Sequence, residues 1–166
     1  QLTEQFGTSD LAALRALPAT EIHQKIRGQG MIVDGRIIPE DLSITFAEGR
    51  QNRVDVLAGS NEDEGSFTAG FGPPVTLASW QAGEAQRWGN QLELGRAAYP
   101  AADDAQAAAQ SPQPFADAMA WHMRQFADYQ AAIGQQAFVY YFTHDPLYDP
   151  DRANLGAAHT GEIPYV

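Results

Sequence analysis

Val54-Asp55-Val56-Leu57-Ala58-Gly59 runs directly into Ser60-Asn61-Glu62-Asp63-Glu64-Gly65-Ser66-Phe67, and this junction decides the fold. The first six residues are β-branched and mostly apolar, and they end in a turn. That is the pattern of a strand buried on both faces of a parallel sheet. The next eight carry three consecutive acids, which on an ordinary surface would be a solvated loop. Leaving the C-terminal end of a parallel strand they gain weight, because open α/β sheets place their sites there.

The partner strand is Ala137-Phe138-Val139-Tyr140-Tyr141-Phe142, too apolar and aromatic for a solvated edge. Upstream of it Phe115, Met119, His122, Phe126, Tyr129 and Ile133 form one apolar stripe at helical spacing. Pro112 and Pro114 suit the first turn of that helix, and Gly134 its C-terminal cap. His122 falls on the stripe and is expected to be a core or boundary histidine with a hydrogen-bond partner. Strand, helix and strand make a βαβ unit whose two strands run parallel.

The loops after the two strands therefore open on one rim of the sheet. One carries Glu64. The other ends in Gly156-Ala157-Ala158-His159-Thr160-Gly161-Glu162-Ile163-Pro164-Tyr165-Val166, punctuated by glycines and a proline. A histidine that works as a general base needs a carboxylate on its second ring nitrogen, to fix the tautomer and stabilise the imidazolium. Glu64 and His159 are the candidates, and their pairing requires an oxygen-to-nitrogen distance within about 3.2 Å. Acid before histidine is also the chain order of α/β-hydrolases.

The remaining segments are read more coarsely. Ser9 is expected to cap a helix carrying Leu11, Leu14 and Leu17, ended by Pro18. Thr20 caps a second, with Ile22 and Ile26, finished by Gly28 and Gly30; His23 is a solvated residue on it. Asp34-Gly35 between two apolar triplets predicts a β-hairpin, followed by a short helix from Leu42 to Phe46. Leu77, Trp80, Trp88, Leu92 and Tyr99 suggest one interrupted helix that stops at Pro100. Residues 101–113 read as loop or weak helix.

Bulk properties exclude whole classes of function. A chain of 166 residues, 44% hydrophobic, can build one domain with a core. A net charge of −11 opposes nucleic acid and anionic membrane surfaces as partners. Without cysteine there is neither a disulfide nor a thiolate metal site. The longest apolar run, Ala137 to Phe142, is far short of the ~18 residues of a membrane span. Because the chain starts at Gln1 and stops at Tyr165-Val166, it is expected to be a segment cut from a longer polypeptide.

Two rival chemistries fail on the residues themselves. His144, Asp145, Asp149, Asp151 and His159 place hard ligands close in sequence, but they lack the alternating acids, central glycine and closing glutamate of an EF-hand. His159-x-x-Glu162 lacks the second histidine of a zincin helix. No catalytic metal is expected, and Asp145-Pro146 and Asp149-Pro150 read as turn formers. Ser60 and Ser66 flank the acid loop, but neither sits on a glycine elbow.

The residues 59–67 resemble the acid loop of type-B carboxylesterases, the family of cholinesterases and bacterial para-nitrobenzyl esterases, and residues 156–166 resemble their histidine loop. Val33-Asp34-Gly35 with Pro39 is similar to a further segment upstream of the acid. The likeness is strongest over 31–67 and 137–166 and weak over 70–114. It implies that Glu64, rather than Glu62 or Asp63, is the acid of a Ser-Glu-His triad and that His159 is its base. Phe67 then matches an aromatic position that lines the path to the site in cholinesterases. The implied activity is hydrolysis of a small carboxylic ester, with no cofactor and no metal.

The sequence departs from that family in one decisive respect. No serine has glycine at both minus two and plus two; Ser9 comes closest, with Gly7 before it but Leu11 after. The glycine-rich oxyanion segment is missing as well. The resemblance therefore implies that residues 1–166 are a single partial domain, the C-terminal portion of an α/β-hydrolase fold. The nucleophilic serine lies on an N-terminal part of the same protein, and the isolated chain is inactive. A non-catalytic, cholinesterase-like adhesion protein on the same fold is the alternative. A cysteine-free chain is more similar to the bacterial members, secreted or cytoplasmic.

Overall fold

A computed structural model of the chain describes residues 2–26, 31–67, 72–145 and 154–165. It divides into two compact units, Gln1–Glu48 and Gly49–Val166. In the first unit, α1 (Leu2–Phe6), α2 (Leu11–Ala16), α3 (Ala19–Lys25) and α4 (Leu42–Ala47) are all short. Asp10, not Ser9, caps α2, its carboxylate accepting the Ala12 N–H at 2.9 Å. Pro18 holds the cap position of α3, so Thr20 falls inside that helix. The expected terminators Gly28 and Gly30 lie outside the described residues.

The hairpin predicted around Asp34-Gly35 does not form. Asp34 Oδ1 accepts the backbone N–H groups of Arg36, Ile37 and Ile38 at 2.8–3.0 Å, amides that a ladder would have needed. Competition of this kind is what makes aspartate a turn former. The donors, Arg36 foremost, hold the Asp34 carboxyl below the usual aspartate range. Met31, Ile32, Val33 and Ile37 are left exposed.

The second unit carries the predicted βαβ order. β1 (Val56–Asn61) and β2 (Ala137–Phe142) pair in parallel, from Val56 opposite Ala137 to Asn61 opposite Phe142. The strand begins and ends two residues later than the sequence pattern implies, so Asn61 belongs to it. Gln136 fixes the start: its N–H donates to Asp55 Oδ1 at 2.8 Å and its carbonyl accepts Val56 N–H at 2.9 Å. α8 (Gln113–Ala132) lies against both strands, and Gly134 closes it at φ +81°.

The predicted stripe of α8 is only partly turned inward. Met119, Phe126, Tyr129 and Ile133 are half-buried and Phe115 and His122 exposed, while the fully buried positions are Ala116, Ala127 and Gln130. His122 is thus a surface residue, edge-on to Trp121. β2 is likewise more open than expected, with Phe138, Val139 and Tyr141 exposed, since only two strands build the described sheet.

Between the strands, α5 (Leu77–Trp88) and α6 (Leu92–Ala98) form the interrupted helix, broken at Gly89, where φ is +51°. α7 (Asp104–Gln110) fills the low-complexity stretch. Trp88 stacks on Tyr99 with centroids 5.8 Å apart, and Arg87 lies over the Trp80 ring. Burial, with Asp117 hydrogen-bonded to its hydroxyl, pushes the Tyr99 phenol up to about 12.

Gly59 sets how closely the strands meet, since a Cβ there would lie 2.3 Å from the Tyr140 carbonyl oxygen and 2.5 Å from its ring. Gly59→Ala should destabilise the chain by about 1–3 kcal/mol, lowering Tm by roughly 2–4 °C per kcal/mol. An unchanged thermal unfolding curve would contradict the strand pairing.

Candidate active site

Both loops at the C-terminal rim are held by their own backbone. After β1 the chain continues the sheet for one more bond, Glu62 N–H to the Phe142 carbonyl at 2.9 Å. Asp63 then bridges to the other loop twice: its N–H donates to the Ala157 carbonyl at 3.1 Å, and its Oδ2 accepts the Ala157 N–H at 2.9 Å. Ser66 Oγ donates to the Leu155 carbonyl at 2.7 Å. Gly65 packs where a Cβ would fall 2.1 Å from the Pro112 carbonyl oxygen, which seats the acid loop on the start of α8.

These ties bring together residues 95 positions apart. His159 Nδ1 lies 2.6 Å from Glu64 Oε2. The Glu64 side chain is 6% exposed and that of His159 46%. The other Glu64 oxygen, Oε1, accepts the Asn61 backbone N–H at 2.9 Å. A carboxylate accepts, so Nδ1 is the donor in this contact and Nε2 is left for a second partner. Among the described residues none occupies Nε2. A half-exposed imidazole with a free Nε2, backed by a buried carboxylate, is the geometry of a general base.

The neighbourhood is acidic. Asn61 Nδ2 donates to the Ala158 carbonyl at 2.7 Å and to Glu162 Oε2 at 2.5 Å. Burial pushes the Tyr140 phenol up, and the Glu162 and Glu64 carboxylates add to the shift; Tyr140 stays protonated at neutral pH. Thr160, directly after the histidine, has φ +69°, a conformation a β-branched side chain seldom adopts. The Gly161 N–H closes that turn on the Ala158 carbonyl at 2.8 Å.

Phe67 stands beside His159, its ring 5.4 Å from that imidazole and 5.6 Å, edge-on, from the Phe115 ring. Phe115, on the predicted apolar stripe of α8, is exposed, and with Phe67 it makes an aromatic pair next to His159. Asn61 and Glu162 were also missed as parts of this site. The available signal was a lone amide closing an otherwise apolar strand, where burial obliges it to find partners.

The other candidates lie elsewhere. Ser60 is buried inside β1, and Ser66 is committed to Leu155. Asp145 accepts from Asn154 Nδ2 at 3.0 Å, and His144 is edge-on to Tyr165. Asp149 and Asp151 lie outside the described residues, as do Pro146 and Pro150.

A carboxylate-backed imidazole can serve general acid–base chemistry. The chain is 27% identical over 179 residues to the fumonisin B1 esterase of Sphingopyxis macrogoltabida. That match takes in 95% of the chain but only 31% of the length of the esterase. No family model matches.

Gly156 guards the histidine loop: φ is +65°, and a Cβ would fall 2.1 Å from Asp63 Oδ2. Gly156→Ala should cost about 1–2 kcal/mol for the backbone alone and release the Asp63–Ala157 bond. Amide exchange at Ala157 reads this directly, and unaltered protection there would contradict the loop geometry.

Proposed function

We propose that residues 1–166 are the C-terminal portion of a type-B carboxylesterase domain with the α/β-hydrolase fold, supplying the acid and base of a Ser-Glu-His triad. The observation that carries the reading is the 2.6 Å contact between His159 Nδ1 and the buried Glu64 carboxylate. The esterase relative supports the reaction class, and its much greater length leaves room for the nucleophile. Phe67 lines the substrate path.

In this mechanism a serine on the N-terminal part of the protein attacks the ester carbonyl while His159 Nε2 takes its proton. Glu64 holds the ring and stabilises the imidazolium charge. His159 then gives the proton to the departing alkoxide oxygen, leaving an acyl-serine. Water repeats the sequence, its proton passing to His159 and back to the serine oxygen. The substrate is a small carboxylic ester, and the residues in hand call for no cofactor.

In a polypeptide that includes this chain and turns over a nitrophenyl ester, His159→Ala should lower kcat by about 10³–10⁶-fold. Glu64→Gln should lower it by about 10⁴-fold through the wrong tautomer. The 166-residue chain alone should show no turnover above buffer. Activity of the pure chain, or full activity of His159→Ala, would contradict the assignment.

A further inference from the structure

Asn61 is 1% exposed, and it is the largest side chain buried to this degree among the described residues. It touches both halves of the pair. Its backbone N–H holds Glu64 Oε1 at 2.9 Å, on the side away from the histidine. Its side-chain Nδ2 holds the carbonyl of Ala158, the residue before His159, at 2.7 Å, and Glu162 Oε2 at 2.5 Å. Both neighbours of that amide are acceptors, so the nitrogen must face them, and the orientation of the side chain is fixed by chemistry.

That orientation has a consequence for the oxygen. Asn61 Oδ1 is buried with no hydrogen-bond partner. An apolar side chain of similar size would leave no unsatisfied atom there, so the amide is costly as packing. Its two donors are what the site uses.

We propose that Asn61 is the positioning residue of the Glu64–His159 pair, fixing the carboxylate through its main chain and the histidine loop through its side chain. The inference rests on the reading of Glu64 and His159 as a catalytic pair. Asn61 touches neither ring nitrogen, so it acts through Ala158 and Glu64. The Nδ2 bond to Glu162 serves the same end, since Glu162 lies three residues beyond His159 on the same loop.

The test uses the full chain labelled with ¹⁵N-histidine, with His159 assigned by His159→Gln. Wild type should show a protonated Nδ1, an unprotonated Nε2 and a downfield Nδ1 proton slow to exchange; Glu64→Gln should lose that proton signal. If wild type lacks it, the pair itself is absent, and the reading of the site fails independently of Asn61. Asn61→Leu, which fills the volume without donors, and Asn61→Ala should both keep the strand amide spectrum in uniformly ¹⁵N-labelled chain. Both should lose the slow Nδ1 proton and move the two ring nitrogens toward a mixed-tautomer average. Retention of the slow Nδ1 proton in either folded variant would overturn the proposal. Loss of the fold in both would overturn it too, making Asn61 a stability residue alone.

Discussion

The molecule depends on one hydrogen bond, between His159 Nδ1 and Glu64 Oε2 at 2.6 Å. A carboxylate as buried as Glu64 is tolerated only when its oxygens are occupied, and here each has a donor, the ring on one side and the Asn61 N–H on the other. The ring in turn gains a fixed tautomer. With the Asp63–Ala157 and Ser66–Leu155 bonds, this contact joins the acid and histidine loops despite their distance in sequence.

The sheet is what allows that bond. Parallel strands send their following loops to the same rim, and the register brings Asn61 opposite Phe142, so both loops depart at one level. Close approach is then a matter of missing side chains: Gly59 against Tyr140, Gly65 against Pro112, Gly156 against Asp63. Around the pair the chemistry is divided. Glu162, Asp63 and the protonated Tyr140 make one side polar and acidic, while Phe67 and Phe115 make the other aromatic.

Much of this was legible in the sequence where a single pattern had a single physical meaning. Two apolar β-branched or aromatic hexads with a helical stripe between them specify parallel pairing, and the acid–histidine rim follows from it. Reading failed where local chemistry competes. Asp34 satisfied three amides with its own carboxylate and cancelled a hairpin that Asp-Gly advertises. Asp10 capped a helix one residue beyond the expected serine. On α8 the bulky stripe marked the helix and part of its inward side, but the fully buried positions are Ala116, Ala127 and Gln130. Asn61 offered a signal, an amide at the end of a strand, but not its partners, because the bonds to Ala158 and Glu162 are long-range and no local spacing encodes them.

On the proposed function, this chain holds the acid and the base while another part of the same protein holds the nucleophile. A structure of the longer polypeptide after reaction with a fluorophosphonate tests it most directly. The account predicts phosphonylation of a serine N-terminal to Gln1, with its Oγ within about 3.2 Å of His159 Nε2 and the Glu64–His159 contact intact. A label on Ser60 or Ser66, or on a serine remote from His159, would contradict it.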